Sequence, residues 1–90
     1  MKGSLDEHFK MSLKRLIVET CDLADRIDVH EIDDNAPLFG RSSQLGLDSI
    51  DALQVSIAIQ QEYGITITDS KEMRRIMISI NTFADFIQPE

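Results

Sequence analysis

Asp48 and Ser49 are adjacent side chains whose types and position suggest chemistry. They stand in the stretch LGLDSIDAL, residues 45–53, where a glycine-containing segment gives way to a helical pattern. An aspartate just before a helix accepts hydrogen bonds from first-turn amides, and the positive end of the helix dipole favours a phosphate on the following serine. The pair therefore predicts either a plain helix start or a helix start that presents a hydroxyl for modification.

The helix predicted after this pair, residues 49–63, has two apolar faces when residues are placed about 100° apart. The first face, which we expect to be core, comprises Ala52, Val55, Ile59 and Tyr63. The nearly opposite face comprises Ile50, Leu53 and Ile57. The pattern leaves two alternatives open: a central helix buried on both sides, or a helix whose second face is offered to a partner.

Three further helices are indicated by caps and apolar spacing. Ser4 and Glu7 fit a capping box that begins a helix of about residues 5–25. Asp69 with Glu72 starts a short third helix that runs through Ile76, and a fourth follows Asn81. Residues 28–48 lack a helical period and contain proline and glycines, which predicts a long loop. The fold class is therefore all-α, a four-helix bundle with a long loop between helices 1 and 2 and a short third helix.

Composition narrows the classes of function. The chain has 90 residues, 42% of them apolar, and a net charge of −7, which fits a single small domain over residues 1–90 that works as a monomer. The acidic excess lies in residues 28–69, so we expect basic protein partners and no nucleic acid. Cys21 is the single cysteine and no long apolar run occurs, so we expect a cytoplasmic protein without disulfides or membrane association.

The sequence offers little for a metal site or for catalysis. Neither His8 nor His30 has a cysteine or a second histidine at metal-ligand spacing, so we interpret them as surface groups. Asp33, Asp34 and Asn35 begin like a calcium loop, but the required glycine and the final glutamate are missing. No histidine pairs with Ser49 in an evident nucleophilic arrangement. We therefore expect no bound metal and no enzymatic activity.

The stretch from Leu45 to Leu53 closely resembles the attachment motif of acyl carrier proteins, and the resemblance extends over nearly the whole chain. It implies that Ser49 carries 4′-phosphopantetheine through a phosphodiester and that Asp48 helps to present it to a phosphopantetheinyl transferase. It also implies that this arm binds acyl chains as thioesters and carries them between acyl-processing enzymes of the ketosynthase type. The implied partner face comprises Ile50, Asp51, Leu53, Gln54 and Ile57.

The sequence departs from the usual family pattern in three places. Gln54, Gln60 and Gln61 stand where glutamates are common, the 40–44 segment is longer, and Lys71, Arg74 and Arg75 make the third helix more basic. The LFG segment at 38–40, together with the IDAL run at 50–53, is more similar to carriers of specialised polyketide or aryl-polyene-type pathways than to those of bulk fatty acid synthesis. Two alternatives stay open: a peptidyl carrier, whose motif usually has a glycine where this chain has Leu47, and a helical interaction module without a prosthetic group.

Overall fold

A computed structural model describes residues 1–40 and 43–89. Within these ranges the chain forms four α-helices: α1 (Glu7–Thr20), α2 (Ser49–Tyr63), α3 (Ser70–Ile76) and α4 (Ile80–Ile87). Short 3₁₀ turns lie at Gly3–Leu5 and Val29–Glu31. The predicted all-α bundle, with its long loop before α2 and its short third helix, is confirmed. Arg41 and Ser42 of the 40–44 segment lie outside the described residues.

The core is built from all four helices and from the long loop. Helix α1 packs against α2 and α4, and α2 packs against α3. The largest fully buried side chains are Leu13, Ile17, Leu38, Val55, Ile59, Met73, Met77, Ile80 and Phe83. Leu38 belongs to the loop, and its amide donates to the carbonyl of Ile78 at 3.2 Å. Loop leucines thus complete the hydrophobic core, so the chain that leads to α2 is anchored.

Helix α1 does not begin at the predicted capping box. Asp6 is the N-cap, and its carboxylate accepts a hydrogen bond from the amide of Phe9 at 3.1 Å. The amide of Ser4 instead donates to Asp85 Oδ1 at 2.9 Å. Gly3 is buried so close to α4 that an added Cβ would collide with the carbonyl of Ala84. Docking of the N-terminal turn onto α4 therefore moves the helix start beyond Ser4, a tertiary effect that overrides the local motif.

Helix α1 also ends earlier than predicted, at Thr20 rather than near residue 25. Asp22 adopts a left-handed backbone, with φ of 58°. The amide of Leu23 then donates to the carbonyl of Val18 at 2.8 Å, and both of these side chains are buried. This is a Schellman ending, which usually uses glycine at the left-handed position. An aspartate occupies that position here, so the sequence contains no clear stop signal.

Two buried lysines of α1 hold the long loop. Lys10 Nζ lies 2.8 Å from Asp34 Oδ2, and Lys14 Nζ lies 2.7 Å from Asp34 Oδ1. Asn81 of α4 donates from its amide to the carbonyl of Asp34 and from its side chain to Asn35. Partial burial acts to raise the pKa of Asp34, but its bonds to the two lysines hold that pKa below the ordinary value. This ion cluster ties the loop to α1 and α4.

The starts of the last two helices differ from the prediction in detail. Asp69 caps α3 as predicted, accepting from the amide of Lys71 at 2.9 Å. Glu72 does not complete a capping box, because its carboxylate pairs with Arg75 at 3.1 Å. Helix α4 begins at Ile80 with Ser79 as its cap, so the predicted start after Asn81 is wrong. Asn81 lies within the helix and its side chain bonds to the loop instead.

Candidate functional site

The start of α2 is held by two aspartates. Asp48 Oδ1 accepts from the amides of Ile50 and Asp51 at 3.0 and 3.1 Å, and Asp51 Oδ2 accepts from the amide of Asp48 at 3.0 Å. The predicted cap at Asp48 is confirmed, and Asp51 completes a capping box. Asp51 was predicted only as part of the partner face, so its role in the cap is an addition to that prediction. The signal was present as an Asp-x-x-Asp spacing, a variant of the usual Ser/Thr-x-x-Glu box.

Ser49 is the first residue of α2, and its side chain is exposed. Its hydroxyl makes no hydrogen bond to any part of the chain that the structure describes. Because Asp48 and Asp51 carry the cap, esterification of the Ser49 hydroxyl would break no bond that holds the helix. The site therefore presents a reachable nucleophile on a preformed helix start.

The first-turn amides are less available than a bare helix N-terminus suggests. Asp48 accepts from the amides of Ile50 and Asp51 through its side chain and from the amide of Ala52 through its carbonyl. The helix dipole still favours an anion near Ser49. Direct donation from the amides of Ile50, Asp51 and Ala52 to a phosphate is restricted, however, because Asp48 already accepts from them.

The approach to Ser49 is fixed by main-chain bonds. The amide of Leu47 donates to the carbonyl of Leu38 at 3.1 Å, and the amide of Gly40 donates to the carbonyl of Leu47 at 3.3 Å. These bonds form an isolated parallel bridge between Phe39 and Leu47. Gly46 has a φ of 60°, a conformation that favours glycine. It lets the chain turn between two buried leucines, so Ser49 emerges from a rigid support.

The two faces of α2 are resolved clearly. Ala52, Val55 and Ile59 are fully buried, as predicted. Tyr63 is half-buried at the end of this face and its ring meets that of Phe9 edge-on, 5.8 Å between centroids.

The opposite face is open. Ile50, Leu53 and Ile57 are 66%, 58% and 48% exposed. These three residues form the open apolar face, and Gln54 beside them is also exposed. The alternative of a helix buried on both sides is therefore wrong.

A basic residue of α3 reaches the surroundings of Ser49. An open depression of about 370 Å³ is lined by Gly40, Gly46, Leu47, Asp48, Ser49 and Arg74. The guanidinium carbon of Arg74 lies 5.3 Å from the centroid of the Phe39 ring, a cation–π distance. From the sequence, Arg74 was recognisable only as one of three basic residues of the third helix. Its proximity to Ser49 depends on the packing of α3 and was not readable from spacing.

The single thiol of the chain, Cys21, is partly buried near the start of α2. Burial is the main cause that raises the pKa of Cys21 to about 12, and the negative charges of Asp51 and Asp48 raise it further. The thiolate is the nucleophilic form of cysteine, so Cys21 stays protonated at neutral pH. His8 and His30 are both exposed, as expected for surface groups.

These features fit a covalently attached phosphodiester. The hydroxyl of Ser49 is accessible, the depression beside it provides space, and a guanidinium lines that space. No helix in residues 1–40 and 43–89 has the length and apolarity needed to cross a bilayer.

Comparison with known proteins identifies the family. The model of the phosphopantetheine attachment site family matches residues 12–87. Searches of the curated proteins and of the solved structures find no match to this chain. Domains of this family are non-catalytic carriers on which a serine takes 4′-phosphopantetheine covalently. The match covers most of the chain, and the chain therefore belongs to the phosphopantetheine-binding carrier family, the family of acyl and peptidyl carriers.

Proposed function

We propose that this chain is an acyl carrier protein and that Ser49 is its attachment site. The supporting observation is a contrast among serines inside the matched region. The other serines there whose side chains the structure describes each make a hydrogen bond: Ser12, Ser43, Ser56 and Ser79. Ser49 alone in this set combines exposure with an unbonded hydroxyl and a position at the start of a long helix.

The residues around Ser49 position it for modification by another protein. Asp48 and Asp51 hold the first turn of α2, so that Ser49 Oγ stands at a fixed point that a phosphopantetheinyl transferase can reach. Each of these carboxylates uses one oxygen to hold the cap, and the base that activates the Ser49 hydroxyl comes from the transferase. When attached, the arm supplies a flexible chain ending in a thiol that holds an acyl group as a thioester.

The open apolar face of α2 is the proposed docking surface for the transferase and for acyl-processing enzymes of the ketosynthase type. Burial of a leucine or isoleucine side chain contributes about 1.5 to 3 kcal/mol, whereas an exposed charge pair contributes at most about 1 kcal/mol. Glutamines at 54, 60 and 61 reduce the charge available on this helix. Apolar contact by Leu53 and its neighbours therefore dominates partner binding, and the Asp51 carboxylate, which is part of the cap, contributes less.

The cargo we propose is an acyl chain of fatty acid or polyketide-type biosynthesis rather than an aminoacyl group. Peptidyl carrier motifs usually have glycine where this chain has Leu47, and the Leu47 side chain is part of the buried core.

The arm ends in a thiol, and Cys21 is also a free thiol. A reducing compartment such as the cytoplasm suits both groups.

The test is loading by a promiscuous transferase with coenzyme A, followed by intact mass measurement. We expect the unaltered chain to gain the mass of phosphopantetheine and Ser49→Ala to gain none. Ser12→Ala is the matched control, because Ser12 is also exposed and lies on a helix, and it should load fully. Ser49→Ala should also keep its thermal unfolding midpoint, because no bond that supports the helix is lost. Loading of Ser49→Ala, or failure of the unaltered chain to load, would refute the proposal. Mass measurement of protein from its native host then distinguishes an acyl from an aminoacyl cargo.

A further inference from the structure

Arg74 of α3 is the cationic side chain that lines the depression beside Ser49 within residues 1–40 and 43–89. Resting on the proposed attachment at Ser49, we propose that Arg74 is a positioning residue that pairs with the phosphodiester of the attached arm. The pair would direct the first part of the arm toward α3 and would tie α3 to the start of α2 only in the modified protein.

The orientation of Arg74 is set by Phe39. The guanidinium lies over the Phe39 ring at 5.3 Å, and this ring belongs to the segment that bridges to Leu47, two residues before Ser49. The stack therefore holds the charged group close to the attachment point before any phosphate is present. A guanidinium matches the geometry of phosphate oxygens through paired N–H donors, and stacking on an aromatic ring leaves its edge free to donate.

The charged groups that the structure describes near Arg74 leave its guanidinium available to bind a phosphate. Within the described residues, no carboxylate lies within ion-pair distance of Arg74, whereas its neighbour Arg75 pairs with Glu72 at 3.1 Å. The carboxylates of Asp48 and Asp51, which lie nearest to Ser49 in the chain, accept hydrogen bonds from the cap amides. Because those amides are thereby committed, the helix start cannot supply several donors to a phosphate. A guanidinium on the neighbouring helix supplies donors that the capped turn lacks.

The consequence concerns the stability of α3. This helix has seven residues, and helices this short depend on tertiary contacts rather than on their own propensity. A phosphodiester keeps its negative charge at neutral pH, so the pair with Arg74 persists as long as the arm is attached. Modification should therefore reduce local opening of α3. The apo protein has no phosphodiester and so lacks this stabilisation.

The experiment compares apo and transferase-loaded protein by NMR. We expect the Nε–Hε signal of Arg74 to shift on loading, and the exchange protection of α3 amides to rise about two- to fivefold, the range given by one exposed ion pair. Both effects should weaken at high salt. Arg74→Gln should abolish the gain in protection, and Arg74→Lys, which keeps the charge, should retain part of it. Arg75→Gln is the matched control: it loses the pair with Glu72, so protection of α3 is lower in its apo form, but its gain in protection on loading should equal that of the unaltered chain.

The outcomes separate this inference from the proposed function. Full loading at Ser49 with no change in the Arg74 signal or in α3 exchange would overturn the inference and leave the carrier function intact. Failure of Ser49 to load would overturn both. If Arg74→Gln does not load, the test uses the unaltered chain alone. An Arg74 signal that does not shift when that chain is loaded would refute the proposed pair between Arg74 and the phosphodiester. An equal gain in protection in Arg74→Gln and in the unaltered chain would also refute it.

Discussion

Replacement of Asp34 by asparagine should strongly destabilise this fold. The Asp34 carboxylate lies between Lys10 and Lys14, whose side chains are 5% and 9% exposed, and is itself 24% exposed. Removing one partner of a fully buried ion pair costs about 3 to 5 kcal/mol. The partial exposure of Asp34 reduces this, so we expect a loss of about 2 to 4 kcal/mol, a large share of the roughly 5 to 15 kcal/mol that stabilises a typical domain.

Urea unfolding followed by circular dichroism at neutral pH measures this loss. Asp33→Asn is the matched control, because it removes the charge of the adjacent, exposed residue in the same loop. Asp33 Oδ1 accepts from the amide of Asn35 at 2.9 Å, and the carbonyl of an asparagine preserves that bond. Asp33→Asn should therefore change the free energy of unfolding by less than about 0.5 kcal/mol.

The pH dependence gives an independent check. The pKa of Asp34 is lower in the folded protein than its ordinary value, so its contribution is present above the unfolded pKa of about 3.9 and is lost as pH falls through the folded pKa. Asp6 and Asp85 also have lowered pKa values, so the useful quantity is the difference between the unaltered chain and Asp34→Asn. This difference should shrink in acid. Equal stability losses in Asp34→Asn and Asp33→Asn, or a difference that does not change with pH, would refute the reasoning.

Two further predictions concern α2 and the thiol near it. Ile59→Ala should cost about 2 to 5 kcal/mol in urea melts, whereas Leu53→Asp should leave stability nearly unchanged and block acyl transfer to the cognate synthase; equal destabilisation would contradict the assignment of faces. Because its pKa is raised to about 12 from an ordinary 9.0, Cys21 should be alkylated at pH 8 roughly a thousandfold more slowly in the native protein than in urea. Asp51→Asn keeps the oxygen that caps the helix but removes a negative charge near Cys21, so it should speed alkylation of the native protein. An alkylation rate that is equal in the native protein and in urea would contradict the raised pKa.

Local signals were sufficient where they agreed with the tertiary structure. Helix α2 lies at residues 49–63 as predicted, because Asp48 and Gly64 are strong caps that need no help from other elements. Its two faces were also readable, since the apolar spacing alone separated Ile59 from Leu53. The bounds, the N-terminal cap and the two faces of α2 were thus available from the sequence.

The errors came from contacts between distant residues. The capping box predicted at Ser4 does not form because the N-terminal turn docks on α4. Helix α1 ends at a left-handed Asp22, and an aspartate is not a residue type from which such an ending is predicted. The Asp33-Asp34 pair was considered only as a metal loop, since the lysines that Asp34 contacts lie 20 or more residues away in the chain. Arg74 lines the same depression as Ser49 because of how α3 packs, which is also a contact between distant parts of the chain. Spacing along a helix cannot show which loop it will face.

The construction of α2 explains how a carrier can be modified after it has folded. The groups that stabilise the helix are the carboxylates of Asp48 and Asp51 at its start and buried side chains such as Ile59 along its inner face. The groups proposed to act on other molecules, Ser49 and Leu53, are exposed, and the Ser49 hydroxyl makes no hydrogen bond within the described ranges. Effects on stability and on docking should then be nearly additive, because the two sets share no partner. Such separation lets the outer face change its residues to suit a new enzyme without weakening the fold.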